Sequence, residues 1–215
     1  MSIVLYSYFR SSAAYRVRIA LNIKAISYQI QPVHLLKNGG QQYKSEYLQI
    51  NPQGLIPLLA IDEQFISQSS AIIEYLDETR PNPALMPETA IDRAYVRSLA
   101  QMIACDIHPL NNLRVLAYLQ KHYAVNDTRK TWYQHWIQKG FRAFEQRLKE
   151  NENRGLFCFG NTPGLADLFL IPQVYNALRF KIDMQPYPLI MGIYENCMPQ
   201  TAFADAAPEN QADAE

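Results

Sequence analysis

Residues 8–21, YFRSSAAYRVRIAL, set two adjacent hydroxyls, Ser11 and Ser12, between an apolar run and a stretch of helical spacing, with Arg10 beside them. A serine at a helix start ordinarily caps it, its oxygen accepting a hydrogen bond from a free backbone N–H. The same junction also suits an anion or a thiolate, because unpaired N–H groups and the positive end of the helix meet there. Gln68 and Ser69 form a second polar pair opening a helix, again with capping as its ordinary role. Two such junctions could hold a zwitterionic, peptide-like ligand between them, one at each end. Asn51-Pro52 and Ile56-Pro57 flank Gly54, a turn composition. A cis Ile56–Pro57 peptide, the state of only about 5% of such bonds, would mark a tight turn presenting the Ile56 backbone to a ligand.

Other chemistries lack their residues. His34, His108, His122 and His135 show no H-E-x-x-H and no carboxylate at metal-ligand spacing, so no metal site is expected. G-x-S-x-G, the P-loop and G-x-G-x-x-G are absent, which removes common hydrolase, kinase and dinucleotide readings. Arg10, Arg16, Arg18, Arg114 and Arg179 remain. Arginines are ordinarily solvated surface charges, yet the guanidinium is the side chain best shaped to hold a carboxylate in a bidentate fork.

The elements that would position these residues follow from periodicity. IVLYSY (3–8) is β-prone, and apolar residues at Ala13, Val17, Ala20 and Leu21 describe one helix face. ISYQIQ (26–31) alternates as a half-buried strand does. LIPLLAI and QFIS, split by Asp62-Glu63, predict a hairpin, and SAIIEYLDE (70–78) predicts a helix ending before Pro81. Residues 1–80 therefore read β-α-β-α-β-β-α. Residues 81–90, with three prolines, suit a linker. From 91 onward only helical spacing appears, including LADLFLIPQVYNALRF (165–180), where Pro172 implies a bend or two helices. The small, acidic tail AFADAAPENQADAE has too few large apolar residues to order itself independently. The resulting expectation is an α/β domain over 1–80, a linker over 81–90, and an all-helical domain over 91–215 ending in a flexible tail.

Composition narrows the setting. Of 215 residues 48% are hydrophobic, enough for a sizeable core, and 20 acidic side chains balance 20 basic ones. That balance provides no general attraction to nucleic acid or anionic membrane, so any cationic site must be local. Three widely spaced cysteines without C-x-x-C suggest neither a disulfide framework nor a thiolate zinc site, and fit a reducing, cytoplasmic compartment. No segment approaches the roughly 20 apolar residues needed to cross a bilayer.

The motifs YSYFRSSAAYRVRIALN, NPQGLIPLL, QSSAIIEYLDETRP, CDIHPLNNLRVL, LADLFLIPQVYNALRF and AFADAAPENQ together resemble the glutathione transferase superfamily over nearly the whole chain, and within it the zeta class, the maleylacetoacetate isomerases. The resemblance implies a thioredoxin-like N-terminal domain, an all-helical C-terminal domain and a homodimer. It also implies glutathione with its γ-glutamyl end at Gln68 and Ser69, its cysteine backbone against Ile56 before Pro57, and its sulfur at Ser11 and Ser12. Gln42, His108 and Asn112 occupy positions where relatives touch glutathione. Arg10, Arg114 and Arg179 match carboxylate-binding positions for a small diketo-acid substrate.

By the same resemblance, the reaction is reversible addition of the glutathione thiolate to a cis double bond, most directly that of maleylacetoacetate in tyrosine and phenylalanine breakdown. Maleylpyruvate isomerisation, general conjugation and a non-catalytic transferase fold are the alternatives. A hydroxyl donating to the sulfur at a helix start would favour the thiolate, whose ordinary pKa is about 8.5. The chain departs from the family at Ala13, often cysteine, at Tyr15, often tryptophan, and at Gly164, where Ser or Thr usually begins the helix three residues before Asp167. A glycine there lacks half of a capping box, with a modest effect expected on folding.

Overall fold

In a computed structural model, which describes residues 2–123 and 128–215, the first apolar run becomes strand β1 (Ile3–Ser7), with Ile3, Leu5 and Ser7 buried on one face. Strand β2 (Gln29–Pro32) lies parallel to β1 on one side. On its other side β3 (Leu58–Ile61) runs antiparallel, and β4 (Gln64–Ser67) pairs antiparallel with β3, giving the order β2-β1-β3-β4. Helices α1 (Ser12–Ile23), α2 (Ser45–Ile50) and α3 (Ser69–Thr79) complete the β-α-β-α-β-β-α order read from the sequence. This is the thioredoxin-like arrangement.

Ten of the 12 residues of α1 are buried, so the helix is covered on every side rather than along one stripe. It packs against α3. Strand β2 is shorter than the expected 26–31, because the preceding residues are used to end α1. Ala25 takes a left-handed conformation (φ 50°), its N–H donates to Asn22 O, and Ile26 N–H donates to Leu21 O, a Schellman closure. Extended pairing cannot begin until that closure is complete.

The chain divides into two compact units, Met1–Ala84 with Met198–Glu215, and Leu85–Cys197. The tail thus belongs to the first unit, not to the helical one, and it is not the flexible appendage expected. Helix α9 (Thr201–Ala204) packs on α1, and Phe203, Ala206, Ala207 and Pro208 are buried. The composition argument holds for the tail alone. What orders it is the surface of α1: Tyr15 donates its hydroxyl to Phe203 O (3.2 Å), Asn22 Nδ2 donates to Ala202 O (3.1 Å), and Arg18 Nε donates to Ala206 O (2.9 Å). The start of the proline-rich stretch is tethered as well: buried Lys24 reaches Asp77 (2.8 Å), Arg80 O (2.6 Å) and Pro83 O (2.9 Å).

The second unit is helical: α4 (Ala90–Gln101), α5 (Leu113–His122), α6 (Thr128–Lys149), α7 (Leu165–Arg179) and α8 (Pro188–Cys197). Helix α4 runs directly into a π-helical turn, Met102–Ile107, closed by His108 N–H on Ile103 O (2.9 Å). Gly140 on α6 makes room for that turn, since a Cβ there would lie 2.2 Å from the end of Ile107. Pro172 is accommodated inside a single helix, α7, twelve of whose 15 residues are buried. None of the helices among the described residues is long and apolar enough to cross a membrane.

The start of α7 has half of a capping box, supplied by Asp167. Its buried carboxylate accepts from Gly164 N–H (2.8 Å) and, through its other oxygen, from Cys158 N–H (2.9 Å). Burial pushes the Asp167 carboxyl above its ordinary range, and the two backbone donors pull it back. Gly164 is required for space: a Cβ there would sit 2.9 Å from Leu85 O, the carbonyl that accepts from Leu165 N–H. Asp167→Ala should therefore cost about 3 kcal/mol, since it strands two interior donors. Gly164→Ser should lower the melting temperature although it adds a capping hydroxyl worth a few tenths of a kcal/mol over glycine. A Gly164→Ser melt at or above the parent's would show that the Leu85 carbonyl yields freely.

Candidate active site

Ser11 stands where β1 hands over to α1. Residues 8–11 form a turn closed by Ser11 N–H on Tyr8 O (2.9 Å), and Ser11 is the N-cap, its Oγ accepting from Ala14 N–H (3.2 Å). A hydroxyl used in this way still has its own proton to donate. Ser12 is the first residue of α1 and only 7% exposed, whereas Ser11 is half-buried. Arg10 projects from the same turn, its guanidinium 4.8 Å from the Phe9 ring centroid and donating to the Tyr8 hydroxyl (2.8 Å).

The second polar pair opens α3. Gln68 is its N-cap residue and has φ 72°, a conformation that costs a non-glycine residue about 1–3 kcal/mol and is concentrated at functional positions. Its side chain donates to Gln53 Oε1 (2.9 Å). Ser69 is buried, and its Oγ accepts from Arg16 Nη1 (3.2 Å), so a buried arginine of α1 joins the starts of the two helices. The Ile56–Pro57 peptide is cis, and the turn before it is fixed by Tyr47 Oη (2.6 Å) and Asn51 Nδ2 (2.7 Å), both donating to Leu55 O. Burial pushes the Tyr47 hydroxyl up to about 12, which keeps it a donor.

Gln42 is buried beneath Gly40. Its Nε2 donates to Leu35 O (3.3 Å), while the buried Oε1 has no hydrogen-bond partner among the described residues.

His108, Asn112 and Arg114 lie in the second unit. His108 directly follows the π turn, a geometry enriched at functional positions. Asn112 is the N-cap of α5, its Oδ1 accepting from Arg114 N–H (3.1 Å), so this side chain has a structural task that the sequence did not reveal. Arg114 is exposed in the first turn of that helix. Arg179 is exposed at the end of α7, over the Phe180 ring (4.6 Å), and Phe180 stacks on Tyr133 of α6 (3.9 Å). The neighbouring Trp132 donates to Leu110 O (2.8 Å), so α6 links the 108–112 segment to the end of α7.

Arg16 and Arg18 are not the surface charges that arginine frequencies suggest. Both are buried, Arg18 completely, and burial pulls its guanidinium down to about 10, still charged at neutral pH. Their setting was visible as two charges inside an apolar helical run without an acidic neighbour; their partners were not. Arg18 donates through Nη1 to Ser7 Oγ (3.2 Å) and through Nη2 to Phe9 O (3.1 Å), besides Ala206 O.

Residues 5–84 match the family described as "Glutathione S-transferase, N-terminal domain". The chain is 52% identical over 215 residues to a probable maleylacetoacetate isomerase of Vibrio cholerae, covering all of this chain and 99% of that protein. Among solved structures, the holo structure of a maleyl pyruvate isomerase, described as a bacterial glutathione S-transferase in the zeta class, superposes with a TM-score of 0.95 at 44% identity, over 99% of this chain and 100% of that one. A maleylacetoacetate isomerase from Methylobacterium extorquens AM1, with bound malonate and glutathione, superposes with a TM-score of 0.94 at 38% identity, over 99% of each chain. Identity of this extent along the entire chain, on the same two-unit architecture, means that the protein belongs to the zeta class of the glutathione transferase family.

Proposed function

We propose that this chain is a glutathione-dependent cis–trans isomerase that converts maleylacetoacetate to fumarylacetoacetate in tyrosine and phenylalanine breakdown. The observation that carries the reading is Ser11: a half-buried hydroxyl at the positive end of a buried helix, with its lone pair engaged by Ala14 N–H and its proton available. The other residues fit glutathione as a ligand. Gln68 and Ser69, at the start of α3, suit the γ-glutamyl end; the Ile56 backbone before cis Pro57 suits the cysteinyl backbone; the unpartnered Oε1 of Gln42 suits an amide N–H. The family resemblance adds His108 and Asn112 as proposed glutathione contacts.

Bound glutathione supplies the thiolate that adds to the conjugated double bond and leaves once the bond has rotated. The protein's part is to hold that sulfur deprotonated and to hold the substrate. Ser11 donates a hydrogen bond to the sulfur, and with the helix end draws its pKa down from about 8.5 toward neutrality. Ser11 rather than Ser12 is assigned this role, because Ser12 is nearly enclosed. Arg10, Arg114 and Arg179 hold the carboxylates and stabilise the charge that develops on the enolate. That the Methylobacterium relative binds both malonate and glutathione supports a site for small dicarboxylates. Maleylpyruvate is the second reading, favoured by the relative of that name at TM-score 0.95. We further propose a homodimer, supported by Phe65 of β4 and Leu36 standing exposed on the single chain, and a cytoplasmic setting, supported by three free cysteines.

Ultraviolet-monitored isomerisation of both diketo acids, with and without glutathione, tests the reading. Turnover is expected only with glutathione, and the ratio of kcat/KM names the substrate. Glutathione binding without turnover of either acid would return the chain to the conjugating or non-catalytic readings. Ser11→Ala should lower kcat/KM by about 10²–10³ and move the pH profile upward, as expected for loss of a preorganised donor. Ser12→Ala should cost far less. The reverse order would transfer the role to Ser12, and two near-normal variants would end the thiolate account. Replacing Arg10, Arg114 or Arg179 by alanine should raise KM for the diketo acid about tenfold or more and leave glutathione affinity nearly unchanged. Unchanged KM in all three would make them ordinary surface charges.

A further inference from the structure

The backbone of Phe9 is held from both sides. Its N–H donates to Asp213 Oδ2 (3.0 Å), and its C=O accepts from Arg18 Nη2 (3.1 Å). Phe9 is the second residue of the turn whose third and fourth residues are Arg10 and Ser11, so fixing the two peptide groups that flank its Cα fixes the origin of both side chains. Asp213 lies two residues before Glu215, in a tail that is itself held in place. Gln211 Nε2 donates to Asp205 O (2.8 Å) and Ala207 O (2.9 Å), folding the tail back, while Arg18 Nε anchors Ala206 O (2.9 Å). The tail end continues to the segment before Gln42, where Glu215 pairs with Lys37 and lies 3.3 Å from His34 Nε2; pairs so exposed add little energy.

We infer that Asp213 is a positioning residue of the isomerase site: from the C-terminal tail it orients the Phe9–Arg10–Ser11 turn, and thereby aims the Ser11 hydroxyl at the sulfur. This rests on the assignment of Ser11 made above. The role is geometric and opposite in sign to an electrostatic one. A carboxylate beside the site disfavours a nearby thiolate, so removing its charge alone would lower the thiol pKa. Removing a group that aims the donor raises it.

Asp213→Asn keeps a carbonyl oxygen for Phe9 N–H and discards the charge; Asp213→Ala discards both. The measurement is the ultraviolet difference absorbance of thiolate in the glutathione-bound, full-length protein across pH, with kcat and KM from the same preparations. Asp213→Ala is expected to raise the thiol pKa by about one unit and to lower kcat at neutral pH about tenfold, with KM for the diketo acid changed far less. Asp213→Asn is expected to restore most of both. A fall in the thiol pKa of Asp213→Asn would overturn the inference in favour of a charge effect. So would a normal titration in Asp213→Ala, whatever its melting temperature. Should Asp213→Ala not fold, the Asp213→Asn titration decides alone. The underlying reading is separable: if the wild-type protein forms no thiolate that Ser11→Ala abolishes, both assignments fall; if it does and Asp213→Ala titrates normally, only the positioning role falls.

Discussion

A guanidinium buried to zero exposure, with no ion pair to a carboxylate among the described residues, can be tolerated only if its donors meet well-placed acceptors, because the charge has left water. Arg18 meets this demand with Ser7 Oγ, Phe9 O and Ala206 O. These acceptors come from the end of β1, from the turn that begins α1, and from the C-terminal tail. A lysine could not serve all three from one planar fork. Satisfying one buried charge therefore ties together the segments that surround the Ser11 junction, and the tail becomes part of the first unit's architecture.

The same economy of donors and acceptors explains the helix starts. α1 is capped by Ser11, α5 by Asn112, and α4 by Thr89, whose Oγ1 accepts from Asp92 N–H (3.2 Å). At Ser11 the capping role and the proposed catalytic role do not compete, since one uses a lone pair and the other the proton. At α7 a side-chain cap at the first position is barred by the Leu85 carbonyl, and Asp167 does the work from inside the helix. The interior of the second unit thus carries a carboxylate that is structural, beside a thiol, Cys158, that burial holds protonated.

Strain is placed with similar selectivity. Gln68 adopts φ 72° at the start of α3 although a glycine would take that conformation without penalty. The side chain retained there reaches Gln53, and the neighbouring Ser69 receives Arg16. The π turn before His108 likewise departs from regular helix geometry next to a residue assigned to ligand contact.

The sequence by itself determined the elements that local periodicity and turn chemistry control: β1, the β3–β4 hairpin, α1, α3, the switch to helix after residue 90, and the hydroxyl pairs at two helix starts. It also determined family, because motifs such as SSAAYRVRIAL are specific as strings. Only the tertiary structure decided which acceptors Arg16 and Arg18 would find, since those lie 9 to 188 residues away along the chain. It decided that the acidic tail is ordered, because the apolar surface that orders it belongs to α1 and not to the tail. And it decided that Ile26–Tyr28 would lie outside the strand, because the backbone N–H groups of Ala25 and Ile26 close α1 and pairing begins only at Gln29. Periodicity records which face of an element is apolar. The partner for each polar group is set by distant segments that meet only in the folded chain.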